Sequence, residues 1–317
     1  LGALVMTSGN LHGEPIVTGN EDAVEKLSLQ ADFFLKHNRG IAAACDDSVV
    51  RLYRGRALAI RRGRGYAPIS LSLPVDSIAT LAVGADLKSA FCLGRGGRAY
   101  PSPHIGDMEN LATLEAFERS LTHLSSLYQF KPELVVYDAH PGYLSTQWAL
   151  RFAGEHKLPG LAVQHHRAHV ASVMAEYGCS PDKKVVAAVF DGTGYGDDGA
   201  IWGGEFFSGV MTNLRRSMHL PYVELPGGDA SARRPALAAI AHLHAAGLEW
   251  TATKSAGALT ALEAKLLPQQ LSNGLNCHRS SSMGRLFDAA ASILGIRHSV
   301  AFEAQAAIEM EALAGQC

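Results

Sequence analysis

The chain has 317 residues, 47% of them hydrophobic and 18% charged, with a formal net charge of -2. That length allows one large domain or two ordinary ones, each with a real core. No basic excess points to nucleic acid, no acidic tail to disorder, and no run of about 18 apolar residues to a membrane span.

The elements alternate. "ALVMTS" is an apolar, strand-like run that ends in the polar turn "SGNLHGEP". "EDAVEKLSLQADFFL" has helical spacing, and "DDSVVRLYRGRALAIRR" reads as two strands joined by a turn. Arg61 to Pro74 mixes Arg, Gly and Pro and reads as a linker. "IATLAVGADLKSAFCLGRGGRAYPS" gives two strands with a hairpin turn expected at "GRGG". Then come an amphipathic helix ("ENLATLEAFERSLTHLSSLYQF"), a buried strand ("PELVVYD"), a helix ("YLSTQWALRFAGEH") and a strand ("LPGLAVQ"). "HVASVMAEYG" predicts a helix with Val170, Val173, Met174 and Tyr177 on one face and Gly178 as its stop. "KKVVAAVFDGTGYGDDGAIWGGEFFSGVM" reads as strand, glycine-rich turn, strand, and the pattern from about Arg233 is mostly helical. Strands alternating with helices imply an α/β fold. No short-period repeat and no low-complexity segment occurs.

Five cysteines (Cys45, Cys92, Cys179, Cys277, Cys317) are scattered without a CxxC pair. They read as free thiols of a reducing cytosol and argue against a cysteine zinc site. No charged-then-apolar signal peptide opens the chain. It begins inside a strand-like run and ends just after a helix-like one, which reads as a piece of a longer protein.

"LAVQHHRAHVASVMAEYG" puts three histidines into five positions. His165 and His169 stand one above the other if a helix starts by His165, and His166 then points elsewhere. Two imidazoles suit zinc or iron, but a site needs a third ligand; the alternative is a hydrogen-bonded histidine pair at a helix start. In "VVAAVFDGTGYGDDG" an apolar strand runs into Asp191, then Gly192, Gly194 and Gly196. Glycines let the backbone approach phosphate, and a strand-end carboxylate can hold a metal; the alternative is a plain hairpin turn. His165, His169 and Asp191 together would make a site of two histidines and one carboxylate.

Other candidates are looser. "SSMGRLFDAAASILG" places Gly284 at a helix start and Asp288 one turn in, which suits either a nucleotide cradle or a capped helix. Asp138 and His140 follow a strand end, where α/β ligand sites collect. "LPGGDASARR" is either a binding loop or a structural turn.

Several stretches in one order resemble a known family. "MTSGNLHGEPI" resembles the T-S-x-N-x-x-G-x-P signature of YrdC-like domains, and "HNRGIAAACDDSVVR" resembles the end of such a domain. "LAVGADLKSAFCL", "HIGDMENLATLEAFE", "VYDAHPGYLSTQWA", "VQHHRAHVASVMAE", "DGTGYGDDGAIWGGE", "LPGGDASA" and "SSMGRLFDAAASILG" resemble the carbamoyltransferase domain of the HypF family of [NiFe]-hydrogenase maturation proteins. The resemblance covers nearly the whole chain.

It implies a partial YrdC-like piece (1–62), a linker (63–74) and an ASKHA-type domain, actin- or sugar-kinase-like, without its C-terminal part (75–317). It implies carbamoyl-adenylate made from carbamoyl phosphate and ATP. The carbamoyl group would pass to the C-terminal cysteine of a HypE-type acceptor in the cytoplasm, with no nucleic acid or membrane partner. It assigns the catalytic metal, iron or zinc, to His165, His169 and Asp191. Adenylate binding falls to Gly192, Thr193, Gly194, Gly196, Gly284, Asp288 and Glu309, and nucleotide contact in the YrdC-like piece to Thr7, Ser8 and Asn10. The chain departs from the family pattern where "IAAACDDS" lacks a basic residue, where Ala304 replaces glycine, and where "ASARRPALA" lacks the usual REPW. The competing readings are an O-carbamoyltransferase of a small natural product, whose YrdC-like domain usually follows the ASKHA domain, and a non-catalytic remnant that binds nucleotide or a partner. A tRNA threonylcarbamoyltransferase fits less well, because its ASKHA protein normally lacks a fused YrdC-like part.

Overall fold

The structure, a computed structural model, describes residues 2–315 apart from Val5, His12 and Asp229. Cys317 and Asp229 of the "LPGGDASARR" loop therefore lie outside the described residues. The α/β expectation holds, and the chain divides into two compact units, residues 1–163 with 175–179 and residues 164–174 with 180–317.

In the first unit the described residues of "ALVMTS" form no strand, and Leu4 and Met6 are exposed. An apolar run becomes a strand only where a neighbour takes up its backbone hydrogen bonds. The expected helix shrinks to α1 (Asn20–Leu27), which buries no side chain and so gains nothing by extending. β1 (Val49–Tyr53) and β2 (Arg56–Arg61) pair antiparallel as the sequence predicts. None of the described residues before Gly63 is buried.

The core of this unit begins with β3 (Leu71–Val83), so Leu71–Pro74 are strand and not linker. β3 pairs antiparallel with β4 (Phe91–Pro101). The turn of this hairpin runs from Gly84 to Ala90, and "GRGG" lies inside β4, with Gly94 opposite Thr80 and Gly96 opposite Ser77. The turn forms where it does because the Asp86 carboxylate accepts the Leu144 and Ser145 amides, both at 2.8 Å. It thereby caps the first amides of helix α3. Next come α2 (Leu111–Leu127), capped by the Asn110 side chain, then β5 (Leu134–Asp138), α3 (Leu144–His156) and β6 (Gly160–Val163). The sheet order is β4-β3-β5-β6, with β5 parallel to both neighbours. Leu81, Phe91, Leu93, Phe117 and Val135 are fully enclosed, and Phe117 meets Phe91 and Trp148 edge-on.

The second unit opens with most of α4 (His165–Glu176). Its buried stripe is His166, Val170 and Met174, spaced i, i+4, i+8. Val173 and Tyr177 are exposed, so the expected four-residue apolar face narrows to two, and a histidine completes it. Gly178 ends the helical segment with φ +60, as expected.

β7 (Val185–Tyr195) and β8 (Ile201–Val210) form a hairpin. Gly192, Thr193 and Gly194 belong to β7, and the turn proper is Gly196 to Ala200. The glycine-rich stretch is thus a strand whose register slips between Phe190 and Gly194. There follow β9 (Asn213–His219), β10 (Val223–Pro226), α5 (Ala230–Arg233), α6 (Pro235–Ala245), α7 (Lys254–Gly257), α8 (Ala261–Asn273), β11 (Cys277–Ser280), α9 (Met283–Ile293) and α10 (Gln305–Ala314). The sheet runs β10-β11-β8-β7, with β9 also on β8 and β11 parallel to β8. Helix α6 packs its alanine-rich face with Leu237 and Ile240 against α9, and both lie on the core around Trp250 and Leu271.

Candidate functional site

The start of α4 delivers the histidines. Gln164 precedes the helix, and its side-chain Oε1 accepts the Arg167 amide at 3.0 Å, satisfying one of the first-turn donors. That fixes the helix phase so that His165 and His169 share a stripe. Their Nε2 atoms lie 3.1 Å apart. His165 Nε2 is 3.3 Å from Oδ2 of Asp191 on β7. One ligand atom from each of His165, His169 and Asp191 lies within 4.8 Å of the others.

The donor set fits a divalent cation of the zinc or iron type, two imidazole nitrogens and a carboxylate oxygen. Asp191 Oδ1 accepts the Gly192 amide at 2.6 Å, while Oδ2 is buried with no hydrogen-bond partner. An orphaned buried carboxylate oxygen facing two imidazoles is what a cation would satisfy. Burial alone raises the Asp191 carboxyl, but the His165 imidazole, with Nε2 3.3 Å from Oδ2, and the charges of His165, His166 and His169 hold it down at about 2.

His166 is fully buried and does not point away from the site as the spacing suggested. Its Nε2 lies 3.6 Å from Asp191 Oδ2, and its Nδ1 lies 3.1 Å from Gln164 Nε2. Burial pushes its imidazole down to about 4, so it is neutral at physiological pH.

The glycines sit against these groups. A Cβ on Gly194 would stand 2.5 Å from His166 Nε2 and 2.9 Å from Asp191 Oδ2. Gly194 therefore makes room for a histidine of the site itself, a second demand beside the phosphate approach expected of it. A Cβ on Gly284, at the start of α9, would come within 2.8 Å of Gly192 Cα. Ser282 caps α9 by accepting the Arg285 amide at 3.1 Å, and its Oγ donates to the carbonyls of Asp191 (3.0 Å) and Gly192 (2.8 Å). The helix N-terminus is thus fastened onto the strand that carries Asp191, where its positive end favours an anion.

The remaining sequence candidates differ in their surroundings. Asp288 is buried and ion-paired with Arg285 at 3.0 Å. Glu309 on α10 binds Arg297 through two contacts of 2.9 and 2.6 Å. Gly196 packs against the Trp202 indole at the start of the Gly196–Ala200 turn, where Trp202 Nε1 donates to Asp198 at 2.7 Å. Thr7 and Ser8, in the first unit, are exposed, and Asn10 closes its own turn by donating to the carbonyls of Leu11 and Glu14. Asp138 accepts the His140 amide, and His140 stacks on Tyr143 at 4.0 Å. Sequence reasoning missed Gln164, His166 and Ser282. The available signals were the residue just before the helix and the serine run ahead of "MGRLFD".

No helix among the described residues is long and apolar enough to cross a membrane. Three family models match the chain, "Telomere recombination" over residues 1–63, "HypF Kae1-like domain" over 76–176, and "Carbamoyltransferase, Kae1-like Domain, second subdomain" over 187–317. Carbamoyltransferase HypF2 of Cupriavidus necator is 43% identical over 98% of this chain and 38% of its own length. Carbamoyltransferase HypF of Synechocystis is 40% identical over 98% of this chain and 42% of its own. The chain thus spans about two fifths of the length of these relatives. A full-length HypF crystallised in a phosphate- and nucleotide-bound form superposes with a TM-score of 0.89 at 39% identity, over 97% of this chain and 48% of that one. HypF of T. kodakarensis gives 0.88 at 35% identity, over 98% of this chain and 42% of that one. With YrdC-type and Kae1-like matches in this order and these relatives along nearly its full length, the chain belongs to the HypF carbamoyltransferase family.

Proposed function

We propose that this chain carries the carbamoyl-transfer centre of a HypF-type hydrogenase-maturation enzyme. His165, His169 and Asp191 hold one divalent cation, iron or zinc. Gly192, Thr193, Gly194 and Gly196, with the start of α9 at Gly284, receive the phosphate of a carbamoyl-adenylate made from carbamoyl phosphate and ATP. The acceptor is a HypE-type protein with a C-terminal cysteine, in the cytoplasm. Residues 1–62 form the YrdC-like part and 75–317 the ASKHA-type part, a division supported by family matches that meet between residues 63 and 76.

The observation that carries this reading is the convergence of three ligand atoms within 4.8 Å. When bound, the cation supplies a Lewis acid that draws charge from a carbonyl or phosphate oxygen. The chain's own residues hold the donor: amides along Gly192–Gly194 and the α9 N-terminus meet the phosphate. The acceptor thiolate sulfur attacks the carbamoyl carbon, the carbon–oxygen bond to AMP breaks, and a thiocarbamate forms. The nucleophile comes from the acceptor. Burial pushes the Cys92 thiol up to about 11, and it raises those of Cys45 and Cys277 too, which suppresses their thiolates.

Metal per chain, measured for the wild type and His169→Ala after equilibration with Fe²⁺ or Zn²⁺, tests the reading. One equivalent in the wild type and a marked loss in the variant are expected. Equal, stoichiometric metal in both would overturn it.

A further inference from the structure

Gln164 is buried, with 6% of its surface exposed, and its amide makes three contacts. Oε1 accepts the Arg167 backbone amide at 3.0 Å, and Nε2 donates to the Tyr195 carbonyl at 2.9 Å. A backbone amide can only donate and a carbonyl can only accept, so the orientation of the Gln164 amide is fixed. Its Nε2 also lies 3.1 Å from His166 Nδ1. A donor facing Nδ1 requires that nitrogen to accept, so the His166 proton sits on Nε2. Nε2 and Asp191 Oδ2 face each other across 3.6 Å, and both are buried without a hydrogen-bond partner.

We infer that Gln164 and His166 are positioning residues for the Asp191 carboxylate, with Gln164 setting the His166 tautomer and His166 Nε2–H steering Oδ2. Oδ1 is already occupied by the Gly192 amide. Oδ2 is therefore the oxygen that needs orienting, and a modest carboxylate rotation closes the 3.6 Å gap to hydrogen-bond length. The arrangement extends the ligand set by one layer, as hydrogen-bonded carboxylates do at metal centres. It gives the second of the two adjacent histidines a task distinct from that of His165. The inference rests on the cation reading of His165, His169 and Asp191.

The test titrates Co²⁺ into the full chain and follows both affinity and the visible ligand-field spectrum. Wild type, Gln164→Glu, His166→Phe and His166→Gln are compared, with circular dichroism and thermal midpoint as checks of folding. Gln164→Glu removes the donor that faces Nδ1, His166→Phe removes the Nε2 donor, and His166→Gln restores a donor near the Nε2 position. The first two are expected to bind Co²⁺ about 10–100-fold more weakly with a shifted spectrum, and His166→Gln to recover most of the loss. Folded Gln164→Glu and His166→Phe variants with wild-type affinity and spectrum would overturn the inference. A wild type that binds no Co²⁺ would overturn the cation reading beneath it. Nitrogen-15 NMR of wild-type histidines reads the tautomer without any variant: a His166 proton on Nε2 is expected, and one on Nδ1 overturns the inference.

Discussion

Gly194 lacks a side chain at the place where His166 puts its imidazole. A Cβ there would run into the ring, 2.5 Å from Nε2, and would stand 2.9 Å from the Asp191 carboxylate. The two residues are coupled by space, so Gly194→Ala should destabilise by about 1–3 kcal/mol, the usual cost of overpacking a filled interior. The cost should fall when His166→Ala has first emptied the space. A double-mutant cycle by urea denaturation measures this, and strictly additive losses would refute the coupling.

Ala304 stands at the start of α10 with φ +59, in the left-handed region that disfavours a Cβ. The resemblance drawn from the sequence expects glycine here, and a positive φ is the conformation that glycine adopts without strain. Ala304→Gly should stabilise the chain by about 1 kcal/mol, because the strain relieved exceeds the entropy glycine adds to the unfolded chain. A thermal midpoint unchanged or lowered in the variant would contradict this.

Glu205 is fully enclosed and fully engaged. It accepts from the Gly203 and Gly204 amides, from Ser281 Oγ and from Arg216 Nε at 2.5 Å, and the Arg216 guanidinium lies 3.9 Å over the Trp202 ring. Glu205→Ala removes the buried partner of the half-buried Arg216, which keeps Asp198 at 3.6 Å and the Tyr222 hydroxyl at 2.8 Å, and should cost about 3 kcal/mol. Removing both partners, as Glu205→Gln with Arg216→Met, should cost less than Glu205→Ala alone. Denaturant midpoints give both numbers, and a double variant less stable than Glu205→Ala would count against the argument.

The sequence carried the alternation of strands and helices and the helix phase at His165, because these depend on local periodicity; Asp191, expected at a strand end, lies inside β7 where its register slips. It misplaced the turns. "GRGG" and "DGTG" look like turn chemistry, yet both are strand, since a glycine also serves where a neighbouring group crowds the backbone. That neighbour, His166 beside Gly194, is distant in sequence and becomes visible only in three dimensions. "ALVMTS" reads as a strand by composition, but its pairing depends on other strands. Val173 and Tyr177 fit the apolar face of α4 by residue type, yet the buried stripe is set by where His166 is seated. The pairing of Asp288 with Arg285, three residues earlier at 3.0 Å, also depends on burial that spacing alone does not reveal.

Asp288 also makes the stability of the second unit depend on pH. Burial raises its carboxyl from 3.8 to about 6, with the Arg285 charge pulling the other way. Between those values the folded chain holds a proton that the unfolded chain has released. Folding is therefore favoured as pH falls through this window and disfavoured by this group above it. A displacement of about two units corresponds to about 3 kcal/mol at most, and residual solvation reduces it to about 1–3 kcal/mol. Asp288→Asn abolishes the titration while keeping the shape. Subtracting its unfolding free energy from that of the wild type cancels the other acid-titrating groups, His166 among them. The wild type should gain on the variant by about 1–3 kcal/mol between pH 7.5 and pH 4.5. A difference that stays flat over that range, or that moves in favour of Asp288→Asn as pH falls, would show that the buried Asp288–Arg285 pair keeps its charge throughout.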